Sequence, residues 1–179
     1  MAGPLWAVIV VVVLVALGFF LVQRLQSGIG FPDTIAGYQH DESQIAEAAT
    51  EFMEKTLKGV GLEAKAAIYG DLSISGSGFM VIAFETDGSA LPGGLEDFAD
   101  GFAASSGGSV DTGRALTETR DGVTYRCAAI ILDRPTTGGD PQAVCVWTDQ
   151  DTGGFVVDAV SPDATAAMDL ASQVHDSVG

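Results

Sequence analysis

The feature that most constrains this chain is an uninterrupted apolar run near its start. Residues 5–22 (LWAVIVVVVLVALGFFLV) contain no charged side chain. As a helix this run extends about 27 Å, close to the thickness of a bilayer's hydrocarbon core. It therefore predicts a transmembrane anchor within residues 1–24. A cleaved signal peptide is the alternative, but no basic leader precedes the run and no clear small-x-small cleavage motif follows it.

The orientation of this anchor rests on two opposing signals. Arg24 is the only basic residue near the run, and a basic flank favours the cytoplasmic side. The chain also has two cysteines, Cys127 and Cys145, whose pairing requires an oxidising compartment. One flanking charge is a small bias for a domain of this size, so we expect the C-terminal domain outside the cell membrane.

The charge distribution limits the partners of that domain. Residues 1–32 contain no acidic residue, so the rest of the chain carries 24 acidic and 7 basic side chains, a net charge of −17. Such a domain repels phosphate backbones and anionic headgroups, and we expect no nucleic-acid partner. An acidic surface also serves solubility, which explains the same charge without any basic partner.

The pattern after the anchor predicts one α+β domain, an antiparallel sheet covered by helices. We expect a connector at 25–40 and the domain at 41–179, with ordered structure starting as early as Pro32. Helices are predicted at 43–58, 92–104 and 161–174, the first with Ile45, Ala49, Phe52 and Leu57 on its apolar side. Strands are predicted at 63–69, 79–85, 115–120, 123–132, 143–149 and 155–160. Asp121-Gly122 predicts a tight hairpin.

The cysteines predict a register for two neighbouring strands. If the strands flanking the loop at 133–141 pair about a centre near Thr136, Cys127 lies opposite Cys145. Two residues away on the same face, Tyr125 then lies opposite Trp147. We therefore predict a hairpin disulfide with these two aromatic residues packed beside it. Burial of two free thiols is the alternative, and the spacing matches neither a zinc knuckle nor a thioredoxin motif.

Residues that suggest catalysis or metal binding are few. His40 and His175 stand near no obvious nucleophile or ligand partner, and His175 falls in the last turn of a predicted helix, where an imidazole is favourable. Asp149 and Asp151 begin like a calcium loop, but the closing Glu of such a loop is replaced by Val160. A turn between strands explains DQDTGG better. We expect no enzyme, no metal and no cofactor.

Three short motifs carry a resemblance to a group of proteins. FPDTIAGY starts the domain, AAIYGD spans 66–71, and CVWTDQDTGG begins at Cys145. In these motifs the chain resembles uncharacterised actinobacterial envelope proteins with a membrane segment or lipid anchor. The resemblance implies export and a disulfide but no activity. This chain has no lipobox cysteine, so its anchor is expected to be the helix itself.

Together these features predict a single-pass, extracytoplasmic, non-enzymatic accessory or interaction domain of the cell envelope, with an envelope protein as its partner. The alternative is a sensor or carrier that binds a ligand or lipid in an apolar cleft, suggested by the Phe and Ile content of residues 79–102. Core packing explains the same residues. A hydrolase that uses paired acids is a third possibility, although acids without partners usually lie at the surface.

Overall fold

The computed structural model describes residues 28–59, 61–71, 77–86, 100, 104, 108–132, 142–159 and 163–178. The chain divides into two units, residues 1–30 and residues 31–179, and the elements below belong to the second. The predicted anchor at 5–22 lies outside the described residues, as does the predicted helix at 92–104 except for positions 100 and 104. No helix among the described residues is long and apolar enough to cross a membrane.

The second unit contains strands, two α-helices and one short 3-10 turn in its described part. In chain order they are β1 (Thr34–Ile35), β2 (Tyr38–Gln39), α1 (Gln44–Gly59), β3 (Ala64–Gly70), β4 (Gly78–Glu85), β5 (Gly108–Val110), the 3-10 turn (Thr112–Arg114), β6 (Leu116–Arg120), β7 (Val123–Leu132), β8 (Gln142–Thr148), β9 (Thr152–Asp158) and α2 (Ala164–Val178).

Seven of the strands form one sheet in which every pairing is antiparallel. The order is β3-β4-β9-β8-β7, and both β5 and β6 pair with the outer side of β7. This confirms the predicted α+β class with an antiparallel sheet and helices. The central strands are buried on both faces, which is why β4, β8 and β9 are nearly continuous apolar runs.

The hairpin between β6 and β7 confirms the Asp121-Gly122 prediction. Arg120 and Val123 close the hairpin, and the two residues between them have positive φ, 50° at Asp121 and 89° at Gly122. Two central residues with positive φ define the turn whose twist matches paired strands. The same turn forms at Ala36 and Gly37 between β1 and β2.

The two helices pack on opposite faces of the sheet. The face that carries Ile68, Ile82 and Phe155, here called the α1 face, packs against α1. The face that carries Cys127 and Cys145, here called the disulfide face, packs against α2. Helix α2 buries mainly small side chains, which lets it lie close to the strands; the buried set is Ala164, Ala167, Met168, Leu170, Ala171, Val174 and Val178.

The predicted apolar side of α1 was wrong at two positions. Ile45 is 84% exposed and Phe52 is 71% exposed. The residues that face the sheet are Ala46, Ala49, Met53 and Leu57, whose spacing of 3, 4 and 4 residues forms one stripe along the helix. Ile45 and Phe52 lie roughly a quarter-turn from this stripe. The orientation of α1 is therefore set by packing four residues of one stripe against the sheet, and the two larger side chains beside the stripe remain exposed.

The folded unit begins earlier than the predicted boundary at residue 41. Strands β1 and β2 form a hairpin within the expected connector, and Tyr38 packs edge-on against Phe79 of β4 at 5.6 Å between ring centroids. Tyr69 stacks on Phe79 at 5.2 Å and donates a 2.7 Å hydrogen bond to the Pro32 carbonyl. This aromatic cluster holds the entry segment against the sheet.

Contacts from this entry segment and α1 also close the β3 edge of the sheet. The Asp41 N–H donates to the Ile68 carbonyl at 2.8 Å, and a Glu54 carboxylate oxygen accepts from the Ala66 N–H at 2.9 Å. His40 forms an isolated β-bridge with Tyr69. Edge groups satisfied in this way are not available to pair with another strand.

Candidate functional site

The predicted disulfide lies at the middle of the β7–β8 pair. Cys127 is directly opposite Cys145, and Tyr125 is directly opposite Trp147, as the register about Thr136 predicts. The two sulfurs are bonded, and both cysteines are buried on the disulfide face beneath α2. The disulfide and the pairing of the two aromatic residues beside it are therefore confirmed.

Trp147 is the largest side chain of the buried core and is held by packing. It is 0% exposed, and its indole N–H is the only buried side-chain polar atom in the described part of the chain without a hydrogen-bond partner. Gly154 lies directly opposite it on β9. A Cβ at Gly154 would collide with the Trp147 ring and with the Ile82 carbonyl oxygen. The missing side chain at residue 154 is what admits the indole.

The paired glycines of DQDTGG therefore belong to a strand. The predicted turn is only partly correct, because residues 149–151 turn the chain and β9 already begins at Thr152. Gly153 likewise leaves space for an aromatic ring, here on the α1 face. A Cβ at Gly153 would lie 2.7 Å from a ring carbon of Phe84. Two aromatic rings occupy the space that side chains at 153 and 154 would fill, so this motif reflects packing.

The Asp149 carboxylate makes four polar contacts at the β8–β9 turn. It accepts from the Asp151 N–H at 2.8 Å, the Thr152 N–H at 2.6 Å and the Thr152 hydroxyl at 2.9 Å. Its other contact is the His175 Nε2 at 2.6 Å. Burial acts to raise the pKa of Asp149, but the hydrogen bonds from His175, Thr152 and Asp151 outweigh burial and lower that pKa to about 2.

His175 connects this turn to the end of α2. Its side chain is 17% exposed, and its ring lies edge-on to Tyr125 with centroids 6.5 Å apart. The carboxylate of Asp176 lies 3.5 Å from Nδ1. Burial raises the pKa of Tyr125, whose hydroxyl also bonds Ser172 of α2. His175 thus serves as a contact between a turn and a helix, a role that its helix position alone did not predict.

The two acidic residues singled out as cation candidates have different surroundings. The Asp149 carboxylate bonds Thr152 and His175, whereas Asp151 is exposed. Among the described residues, no three His, Cys, Asp or Glu side chains come together as a group that could hold a metal ion. His40 lies far from this turn in the fold, where its ring packs at 5.4 Å on Tyr69.

A cavity of about 690 Å³ lies on the disulfide face, beside the start of α2. Its walls are mostly apolar, and charged side chains stand around them. The described lining residues are Asp111, Arg114, Leu116, Ala129, Ile130, Ile131, Asp163, Ala164 and Thr165. Leu116 is 39% exposed and Ile131 is 52% exposed, so two large apolar side chains face solvent here.

The apolar cleft considered for residues 79–102 does not form from the described part of that stretch. Residues 79–84 are all buried in β4, and residues 87–99 lie outside the described part. The cavity beside α2 arises instead from β5, β6 and β7, which the sequence did not single out.

Comparisons with protein-family models, with curated proteins and with solved structures found no match for this chain. The site is therefore interpreted from its own geometry.

Proposed function

We propose that this protein is a membrane-anchored domain on the extracytoplasmic side of the cell membrane, and that it acts by binding another envelope protein. The observation that carries the proposal is the disulfide between Cys127 and Cys145. Its two cysteines are directly opposite in the sheet, so the strand register itself places the sulfurs together. Disulfides persist in oxidising compartments and are rare in the cytosol.

Two features of the sequence support the anchoring and the mode of action. The apolar run at 5–22 has the length of a membrane helix. The net charge of −17 on the remaining chain opposes binding to nucleic acid or to anionic lipid surfaces. A protein partner with basic segments fits this charge best.

Thiol trapping in the native host tests the compartment. Cells are lysed in excess N-ethylmaleimide under denaturing conditions, and the intact protein is weighed by mass spectrometry. The proposal predicts a chain with no added maleimide at Cys127 or Cys145. Two alkylated cysteines in the native host would remove its main support.

Alkaline carbonate extraction of the same membranes tests the anchor. An apolar helix retains the protein in the membrane pellet, and the intact mass then includes residues 5–22. A shorter, released chain would identify the apolar run as a cleaved signal peptide and would contradict anchoring.

One observation favours a second function, the binding of a small apolar ligand. The cavity beside α2 has a volume of about 690 Å³, within the range typical of ligand pockets. Titration with a polarity-sensitive apolar dye, followed by displacement with fatty acids of increasing length, separates the two functions. Saturable one-to-one displacement favours the ligand carrier, and its absence favours the interaction domain.

A further inference from the structure

The two edges of the sheet differ in whether their outward backbone groups are hydrogen-bonded by described residues. At the β3 edge, Asp41 and Glu54 satisfy backbone groups of Ile68 and Ala66. At the opposite edge, β6 is a five-residue strand whose first four side chains are exposed. An edge strand that no described residue covers is a template for pairing with another chain.

The β6–β7 register fixes which backbone groups point outward. Arg120 and Val123 close the two-residue hairpin, so residues 116, 118 and 120 exchange hydrogen bonds with β7. The N–H and C=O groups of Thr117 and Thr119 then point away from the sheet. Within the part of the chain that the structure describes, no backbone hydrogen bond reaches these outward groups.

The cavity adjoins the start of this edge on the disulfide face. Leu116 begins β6 and lies opposite Cys127, and it lines the cavity together with Ile131 of β7. A strand added beside β6 places alternate side chains on this face. One of them, next to Leu116, reaches the apolar cavity wall.

The charge around this edge is negative. The nearby acidic side chains are Asp111, Glu118, Asp121, Asp163 and Asp169, and the basic ones are Arg114, Arg120 and Arg126, the last directly opposite Thr117. Two of these arginines contact acids in the same group: Arg120 bonds Glu118 and Asp169 at 2.8 Å each, and Arg114 lies 3.7 Å from Asp111. The surplus of carboxylates favours a cationic segment. Mutual repulsion between domains of charge −17 disfavours a second copy of this chain.

We propose that β6 receives an extended, basic peptide segment of a partner protein as an additional antiparallel strand, with one apolar side chain in the cavity beside Leu116 and Ile131. Backbone pairing with Thr117 and Thr119 supplies the attachment, and the cavity supplies selectivity, as in other cases of strand addition. This proposal rests on the proposed function as an interaction domain and names the kind of segment that it binds.

Fluorescence anisotropy with a labelled nine-residue peptide of alternating lysine and valine tests the proposal on the full-length chain in detergent micelles. We expect saturable binding, and at least tenfold weaker binding of the glutamate-valine counterpart. A lysine-valine peptide N-methylated at every lysine keeps its charge but loses the N–H groups that face β6 when its valines face the cavity, and it should also bind at least tenfold more weakly. Equal binding of the methylated peptide, or no binding of the parent peptide, overturns the proposal.

Protein variants locate the contact. Thr117→Pro removes an outward N–H that the sheet does not use, so the fold tolerates it, and binding should weaken at least tenfold. Thr117→Val keeps the N–H and should bind within twofold of the wild type. Ile131→Ser should weaken binding about fivefold through the cavity. Unchanged binding by Thr117→Pro contradicts the proposal. If that variant does not fold, the comparison of the parent and N-methylated peptides tests the same backbone pairing on the wild type.

Two further outcomes point to other occupants and overturn the proposal. Sedimentation showing dimers that Thr117→Pro abolishes would identify a second copy at the edge. Displacement of the peptide by a fatty acid, with no effect of N-methylation, would identify a small apolar ligand. These titrations use purified protein, so a negative result does not affect the conclusions on compartment and anchoring. A cytoplasmic location found in cells, in turn, does not affect the conclusion on peptide binding at β6.

Discussion

Trp147 fits into the disulfide face because residue 154 has no side chain. The indole lies on β8 directly opposite Gly154 of β9, and a Cβ there would meet both the ring and the Ile82 carbonyl oxygen. Interiors are packed to the density of organic crystals, so the neighbouring strands have no space into which to move. We therefore expect this glycine to tolerate substitution poorly.

Gly154→Ala should therefore destabilise the protein by about 3 kcal/mol, the cost of overpacking a closed core. Chemical denaturation followed by circular dichroism measures the loss. Gly59→Ala is the matched control, because a Cβ at Gly59 meets nothing within 4 Å. We expect the control to stay within about 0.5 kcal/mol of the wild type. Equal stability of the two variants would show that Trp147 lies elsewhere.

The hydrogen bonds on Asp149 predict a distinct pH dependence of stability. The folded-state pKa of about 2 lies below that of the same carboxyl in an unfolded chain, roughly 3.9. Its contribution is therefore complete above about pH 4 and is lost as the pH falls towards 2. The stability difference between the wild type and Asp149→Asn should be largest near pH 5 and shrink below pH 4, as measured by urea denaturation across this range.

Asp151→Asn controls for the general effect of removing one acid from a strongly acidic domain. Asp151 is exposed, and its backbone makes two hydrogen bonds: the N–H donates to Asp149 and the carbonyl accepts from the Thr86 N–H. Its stability difference from the wild type should be small at every pH. A difference for Asp149→Asn that stays constant from pH 5 to pH 2 would contradict the assigned pKa.

The contact between Asp149 and His175 shows where single-residue prediction from sequence ends. The residues are 26 positions apart, and both have ordinary local roles, a turn aspartate and a histidine near the end of a helix. One signal was available: His175 falls four positions after Ala171 and seven after Met168, on the buried side of α2. Which carboxylate it meets depends on how α2 lies across the sheet, and that is a tertiary property.

At the scale of elements, the β7–β8 pair is held by a covalent bond across its middle. The cysteines are separated by 18 residues, and closing a loop of that size stabilises a protein by about 3 kcal/mol on the chain-entropy estimate. Cys127→Ala/Cys145→Ala should lose about this amount in guanidinium denaturation, and reductant should lower the wild-type midpoint similarly. Reductant should leave the double variant unchanged. An unaffected wild-type midpoint would contradict a stabilising role for the disulfide.

Helix α1 offers a test of its own orientation through two adjacent residues. Phe52 is 71% exposed, whereas Met53 packs against the core. Phe52→Ala should change the free energy of unfolding by less than about 0.5 kcal/mol, and Met53→Ala should reduce it by about 2 kcal/mol. Thermal or urea denaturation distinguishes the two. The reverse order would mean that α1 presents the side first predicted from its larger apolar residues.

Elements with strong local signals could be predicted, and those that depend on distant partners could not. Asp121-Gly122 defines the β6–β7 turn by its backbone requirement, and the cysteines define the β7–β8 register by their covalent bond. The β1–β2 hairpin was missed because its strands have two residues each and its turn begins with Ala36, which seldom adopts positive φ. Helix α1 was placed correctly, but its face was not.

At the scale of the whole molecule, the strand order determines where a partner can attach. Placing β9 between β4 and β8 brings together strands that are far apart in sequence, so the order β3-β4-β9-β8-β7 could not be read from local pattern. Its result is a sheet with one edge closed by Asp41 and Glu54 and the other edge formed by β5 and β6.

Labelling of Phe52→Cys in intact cells of the native host reports on which side of the membrane the domain lies. This position is exposed on α1, and the two native cysteines are joined in a buried disulfide, so a membrane-impermeant maleimide has one target. We predict that the variant is labelled in intact cells to the same extent as in permeabilised cells, while the wild type is not labelled. Labelling of the variant only after permeabilisation would place the domain in the cytoplasm and contradict the account.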